Sequence, residues 1–488
     1  MSRSHVFSLL FLLVSCGPKE APIETPAAPV EAPAPDPRFV KPEPLAKRAL
    51  TLPEVKTATL SNGLQVVLIE DHELPLFSLQ LSIRSGSFTD PAGKEGLADL
   101  AMNLLDEGTT KKDTIAFATA QKKLGASVGS YSGGDSAGLS VSGLSKNLDA
   151  TLDLMAEVLL TPRNDKNDLE RLRKDSLQSI LAQRTDPNAM AGRALARTMY
   201  GEVYSGRFET EASLKAVTLK EVAAWQKANL TPANGVIFAS GDLSLDTLVA
   251  SLEARLGKWK GGAKQADPSI TVNELTETTL FLVDKPGAAQ SVILAARQVP
   301  GRNEPGYDAL VLGNAAWGGT FMSRFNMNFR EEKGWTYGAR SSVEDDLGPG
   351  TWSASTSVRA DATVIAVQEL LAELDRVKGE KPLTAQEVEY VRSSMINSWP
   401  SRFETPSFLL GQQASIWRYG LPADWTATYL SRVQAVTPEA AQAAFVEHVA
   451  GKPLALVVVG DLATHQAPLS ALGKPVVILD ADGHVVKK

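Results

Sequence analysis

The chain has 488 residues, more than one ordinary hydrophobic core encloses, so two or more domains are expected. Its 43% hydrophobic and 22% charged content is that of a soluble globular protein. A net charge of −7 lacks the basic balance that phosphate backbones demand, so the expectation is a protein without a nucleic-acid partner.

The first segment reads as an address rather than as structure. Arg3 precedes a short apolar run, Val6 to Val14, which is too short to span a bilayer and fits a signal-peptide core. It ends in Leu13-Val14-Ser15-Cys16, which resembles the lipobox of bacterial lipoproteins. Cys16 is the sole cysteine of the chain, so it has no disulfide partner within it. The expectation is a signal peptide over 1–15, lipidation at Cys16, and anchorage in a bacterial cell envelope. Under the sorting rule of enteric bacteria, Gly17 at the next position points to the outer membrane, facing the periplasm. Residues 17–44 hold nine prolines among Ala and Glu. Proline fixes φ and removes a donor, so 16–51 reads as a Pro-rich tether.

The folded body begins near Leu52. Asn62-Gly63 is a hairpin signal, with apolar strands over Leu64 to Ile69 and Phe77 to Ile83. In the second strand Phe77, Leu79, Leu81 and Ile83 alternate onto one face. A helix is expected over 94–107, with Leu97, Leu100, Ala101, Leu104 and Leu105 on one side and Gly108 as its cap. Further helices are expected at 113–124, 146–160 and 166–199. Between the first two, Ser132-Gly133-Gly134-Asp135 reads as a hairpin turn. A strand from Val236 to Ala239 runs into Gly241-Asp242-Leu243.

The second half repeats this ending. Val217-Thr218 and Gly241-Asp242-Leu243 return as Val436-Thr437 and Gly460-Asp461-Leu462, both at an offset of 219 residues. Two matches at one offset argue for duplicated domains. The expected division is 52–258, a linker over 259–275, and 276–488, each half an α+β sandwich.

The helix over 94–107 carries Gly96-Leu97-Ala98-Asp99-Leu100-Ala101-Met102-Asn103, then Gly108-Thr109. This resembles the pitrilysin/insulinase metallopeptidase pattern, in which His-x-x-Glu-His lies between Gly-Leu-Ala and Gly-Thr. Two histidines at i and i+4 share a helix face and hold zinc, and the intervening Glu serves as base. The matching positions are Asp99, Met102 and Asn103. Asp99 can contact a metal, but Met102 cannot take a proton from water, and Asn103 is a weak zinc ligand. Counting back from Asp186-Pro187, the family's third ligand falls at Ser179. Outside the first segment the histidines are His72, His448, His465 and His484, with no pair at ligand spacing. His72 and His448 read as surface histidines. The expectation is no metal and no catalytic group in this chain.

In the second half, Gly318-Gly319-Thr320-Phe321-Met322-Ser323-Arg324-Phe325 precedes Arg330-Glu331-Glu332-Lys333-Gly334-Trp335-Thr336-Tyr337. This is similar to the family's Gly-rich turn followed by an Arg and a Tyr seven residues apart. From the residues alone, Arg330 could instead be a solvated helix end and Tyr337 a residue packed on its sheet. Gly318-Gly319 lacks the Gly-Lys-Ser/Thr of a phosphate loop, and no serine stands in a nucleophile elbow.

The resemblance runs over about residues 55–465. It implies two tandem homologous α/β-sandwich domains forming half of a clamshell. A homologous partner subunit would carry the zinc, and Arg330 and Tyr337 would contact unfolded or extended peptides. An Arg suits that role because it is always charged and forks, and a Tyr hydroxyl donates beside it. The resemblance also implies that an extended peptide adds to a sheet edge, without naming the strand. Two alternatives stay open: an inactive peptide-binding or scaffolding lipoprotein, and an autonomous metallopeptidase using Asp99, Asn103 and Asp106 or Glu107.

Overall fold

In a computed structural model, which describes residues 50–262, 265–268 and 270–487, two mixed sheets are each backed by helices. Cys16, the signal-peptide run and the Pro-rich stretch lie outside the described residues. The first sheet contains β1 (Lys56–Thr59), β2 (Gln65–Glu70), β3 (Leu76–Ile83), β4 (Ser127–Ser132), β5 (Ala137–Leu144) and β6 (Gly235–Gly241). Their spatial order is β1-β2-β6-β3-β5-β4.

The Asn-Gly turn is present, with Gly63 at φ +89°, but it joins β2 to the short strand β1. The two apolar strands expected beside it are not partners, because β6 lies between them, parallel to β2 and antiparallel to β3. The reason is burial: Val236 to Ala239 are buried on both faces, which suits a central strand and not a rim.

The second sheet contains β7 (Thr279–Asp284), β8 (Gln290–Val299), β9 (Thr336–Glu344), β10 (Gly350–Arg359), β11 (Ala455–Gly460), β12 (Val476–Leu479) and β13 (Val485–Lys487). Its order is β13-β12-β7-β11-β8-β10-β9. The run β7-β11-β8-β10-β9 repeats β2-β6-β3-β5-β4, with the same parallel or antiparallel sense at each step. The sequence offset therefore has a structural counterpart. Thr218 and Thr437 both cap helices by accepting from a backbone N–H three residues on. Gly241 and Gly460 both end the central strand.

Two helical expectations need correction. The 94–107 segment is α-helical only over Leu97–Asn103 and continues as a tighter 3₁₀ turn over Leu104–Glu107. Its start is set by the buried Asp90, whose carboxylate accepts from Gly96 N at 2.9 Å and Ala98 N at 2.8 Å. The 166–199 segment is two helices, Lys166–Gln183 and Pro187–Tyr200. Pro187 turns Asp186 away from helical backbone, and the Asp186 carboxylate then caps Ala189 N at 2.8 Å.

That break redirects the chain. The helix Pro187–Tyr200 leaves the first sheet and lies on the second. Met190, Ala194, Leu195 and Met199 meet Phe281, Val283, Val292, Val457 and Val459 there. Reciprocally, the helix Pro406–Tyr419 packs on β6 and β2 of the first sheet, where Trp417 meets Phe238 edge-on at 6.2 Å. Each half thus covers the other's sheet, and Thr51–Lys488 forms one compact unit. Trp259, placed in the linker by sequence, is buried in the first core, and Ile270, Val272 and Leu275 pack on the exchanged helix cluster. No helix among the described residues is long and apolar enough to cross a membrane.

The C-terminal β12–β13 hairpin fastens the first exchange. Arg184 grips Asp482 through two nitrogens, at 3.0 and 2.6 Å, and Arg197 donates to the Asp482 carbonyl at 2.7 Å. Burial alone would raise the Asp482 carboxyl, but the Arg184 fork and the Arg193 charge hold it below the usual carboxylate range. A lowered carboxylate pKa adds stability that is complete above the unfolded-state value and lost as pH falls through the folded one. Asp482→Ala is expected to cost about 2–3 kcal/mol near neutral pH, and much less in acid strong enough to protonate the native carboxyl. Urea unfolding at both pH values measures this; an equal cost at both would contradict the ion-pair account.

Candidate functional site

The degenerate motif sits on the helix Leu97–Asn103, which packs its apolar side into the first core. Met102, at the position of the general base, is fully buried. Asn103 faces solvent, and Ser179 is exposed on the helix Lys166–Gln183, where Gln183 donates to it at 3.2 Å. Asp99 lies in a cavity of about 340 Å³ with Asp90, Glu95, Arg207 and Glu209 on its walls. Burial pushes the Asp99 carboxyl above its usual range and Asp90 up to about 7.

These residues do not fit zinc. A buried thioether replaces the proton acceptor, an amide replaces one imidazole, and the third-ligand position is an exposed hydroxyl. Nor do the neighbouring acids converge on a hard cation. Asp106 accepts from Ser130, and Glu107 pairs with Arg171 at 2.6 Å while accepting from Thr114 Oγ1 at 3.1 Å. Among the described residues, no three His, Cys, Asp or Glu side chains are placed to hold a metal ion. His72 is exposed and paired with Asp242 at 2.7 Å; His448 is half-buried. His465 is buried, 3.5 Å from Thr363 Oγ1.

The edge strand beside this helix is not open. β4 pairs only with β5, and the N–H groups of Val128 and Ser130 point away from that partner. Gln121 Oε1 accepts from Val128 N at 2.7 Å, and Asp106 Oδ1 accepts from Ser130 N at 2.7 Å. Ser130 Oγ further donates to Asp106 Oδ2 at 3.1 Å and to the Met102 carbonyl at 2.7 Å. A peptide adding to this edge must displace both caps. The corresponding edge of the second sheet, β9, is treated alike: Asn326 accepts from Ala339 N at 3.1 Å, and Asn314 donates to the Ser341 carbonyl at 3.4 Å. Sequence reasoning missed Asp106 and Gln121 as edge caps. The available signal was an acid on the last turn of a helix otherwise lined with apolar residues.

Arg330 and Tyr337 lie on either side of a sharp bend. Arg330 is in a π-helical turn, Met327–Glu332, with its guanidinium 4.7 Å above the ring of Phe321 and its Nε 3.2 Å from Glu331. Such turns insert a residue and re-aim the side chains that follow. The local ion pair expected of a solvated helix end is therefore present, yet the guanidinium also lies over an aromatic face that is itself 55% exposed. Tyr337 opens β9 and is 90% exposed, so it does not pack on its sheet. The turn is fixed from below: Trp317 stacks on Phe325 at 4.8 Å, and Phe325 meets Phe329 edge-on at 4.7 Å. Gly318 has no room for a side chain, since an added Cβ would stand 2.3 Å from Ser341 Oγ.

Comparison with known proteins finds the same family over both halves of the chain. The family model described as insulinase (peptidase family M16) matches residues 65–207, and the model described as peptidase M16 inactive domain matches 216–395. The non-peptidase homolog YmxG of Helicobacter pylori is 23% identical over 80% of this chain and 89% of its own. An uncharacterized zinc protease of Mycobacterium leprae is 24% identical over 76% of this chain and 86% of its own. A crystal structure from Pseudomonas fluorescens, described as a peptidase M16 inactive domain, is 25% identical and superposes with a TM-score of 0.76. It covers 83% of this chain and 98% of its own.

The Asp106 cap is a half-buried carboxylate, and desolvation pushes it up to about 6 against the two Ser130 bonds. A raised acid pKa means that ionisation destabilises the fold between the unfolded-state value and about 6. Asp106→Asn keeps an oxygen for Ser130 N and removes that ionisation. It should gain on the order of 2 kcal/mol relative to the parent chain between pH 4.5 and pH 7.5. A difference that does not change with pH, in thermal melts at both values, would rule out the ionised cap.

Proposed function

Because the chain belongs to the insulinase (M16) peptidase family, we propose that it is a non-catalytic subunit that binds substrate beside a homologous zinc-bearing peptidase subunit. The carrying observation is the contrast between its two motif regions. Where the family holds metal and base, this chain has a fully buried Met102 and a solvent-facing Asn103. Where the family contacts peptide, Tyr337 stands exposed and the Arg330 guanidinium lies over an exposed ring. Loss of chemistry with retention of a contact surface fits a supporting subunit.

In this reading the partner supplies zinc and the activated water. Arg330 and Tyr337 face the chamber formed by the pair and donate to the backbone of an unfolded peptide. An always-charged guanidinium and a phenolic O–H suit carbonyl oxygens, which strengthen as acceptors when charge develops on them. Cys16 would carry lipid, and the Pro-rich tether would hold the folded body away from an envelope membrane, on the periplasmic side of the outer membrane.

A second reading has its own support. Gln121 and Asp106 occupy the edge N–H groups to which a peptide strand would bond, which favours an inactive scaffolding lipoprotein, or one that captures peptide elsewhere on its surface. Affinity purification of the tagged chain from its native envelope separates the two. A stoichiometric homologue with an intact His-x-x-Glu-His supports the subunit reading; a lone chain that retains peptide affinity supports the other. In such a pair, Arg330→Ala should lower turnover about tenfold or more while zinc content stays constant. Unchanged kinetics in a well-folded pair would remove Arg330 from the role.

A further inference from the structure

The helix Pro187–Tyr200 packs mainly on β7, β11 and β8, and touches one end of β10 through Tyr200, whose hydroxyl lies 2.9 Å from Thr351 Oγ1. The uncovered face of β10 and β9 is built from hydroxyls. Ser342 on β9 stands opposite Ser353 on β10, their oxygens 3.1 Å apart, and Arg340 stands opposite Ser355. At this end of the sheet a cavity of about 350 Å³ opens, lined by Asn188, Gln290, Tyr337, Arg340, Ser355 and Ser357 among others. Arg340 is the single charged side chain on its walls.

Among the described residues, every arginine except Arg340 makes a hydrogen bond, an ion pair or a ring contact. Paired examples include Arg324 with Glu387 and Arg376 with Glu369 and Glu373. A guanidinium left without a carboxylate, in a trough of hydroxyl and amide groups, is electrostatically complementary to one acid. The neighbouring hydroxyls and the Asn188 and Gln290 amides add donors for the same group and repel no other polar chain.

We infer that Arg340 is a specificity residue that receives the carboxylate of an internal Asp or Glu in an extended peptide lying over the β9–β10 face. The inference rests on the peptide-binding reading above and names the peptide class. The caps on Ala339 N and the Ser341 carbonyl direct the peptide to this face instead of the β9 edge. Contact then runs through side chains, with Tyr337 at one end of the trough and Arg340 within it. Arg340 makes no claim on the chemistry; it selects what lies beside it.

The test uses the purified chain and two fluorescently labelled, C-terminally amidated peptides that differ only by Glu or Gln at a central position. Anisotropy should show the Glu peptide binding about tenfold more tightly, and Arg340→Gln should abolish that preference. Arg340→Lys should restore part of it, since it keeps the charge but loses the fork. Circular dichroism melts confirm that each variant is folded. Equal affinities on the parent chain, or a preference that survives Arg340→Gln, would overturn the inference while peptide binding stands. A preference that follows a free C-terminal carboxylate instead of the internal Glu would overturn it too. If neither peptide binds, alone or with the zinc-bearing homologue, the peptide reading itself falls and the inference falls with it.

Discussion

The structure depends on one constraint: the central strands of both sheets are apolar on two faces, and each second face is covered by a helix from the other half. Val283, Val457 and Val459 point away from their own helical layer and would meet water without the helix Pro187–Tyr200. Burying such surface stabilises by about 25 cal/mol per Å², so a bare face of this kind is not tolerated. The covering is unequal. On the second sheet it is an apolar cluster, whereas the helix Pro406–Tyr419 has only Leu409 fully enclosed. The first sheet can accept that looser cover because its outer face is partly polar, with Gln80 and Ser82 both bonded to Tyr131 OH. The reach of each cover decides which strands stay open, and hence where a ligand can lie.

On the proposed reading, a first half without a metal site has a packing logic. A zinc helix must keep a polar base and two imidazoles directed at one point. Once Met102 fills the base position it can be buried completely, and the acid Asp106 one turn later turns to the strand edge. Two consequences follow: among the described residues no three metal donors of the first half converge, and its β4 edge is closed by its own side chains. The second half has the opposite character. Its aromatic stack beneath the π-helical turn fixes Arg330, and the neighbouring strand leaves Tyr337 in solvent.

Much of this was legible in the sequence because it is local or periodic. Alternation along Phe77 to Ile83 gave β3, and the common offset of Gly241 and Gly460 gave the repeated sheet. What escaped depends on long-range contact. No local pattern shows that β6 enters between β2 and β3, since the pairing joins residues far apart in sequence. Pro187 signalled a break, but not that the following helix crosses to the other sheet. The edge caps escaped because an acid at 106 on an otherwise apolar helix does not show which backbone it meets until β4 is set beside it. What sets Arg340 apart, a guanidinium without a partner among the described residues, exists only once the chain is folded.

Zinc content is the most direct measure of the central claim, that this chain is a homologue without chemistry of its own. The purified chain, equilibrated with zinc and freed of loosely held ions, should contain no stoichiometric metal and cleave no unfolded peptide. Its complex with a homologous peptidase subunit should contain one zinc for each pair. One tightly held zinc on the isolated chain, accompanied by peptide cleavage, would contradict the account.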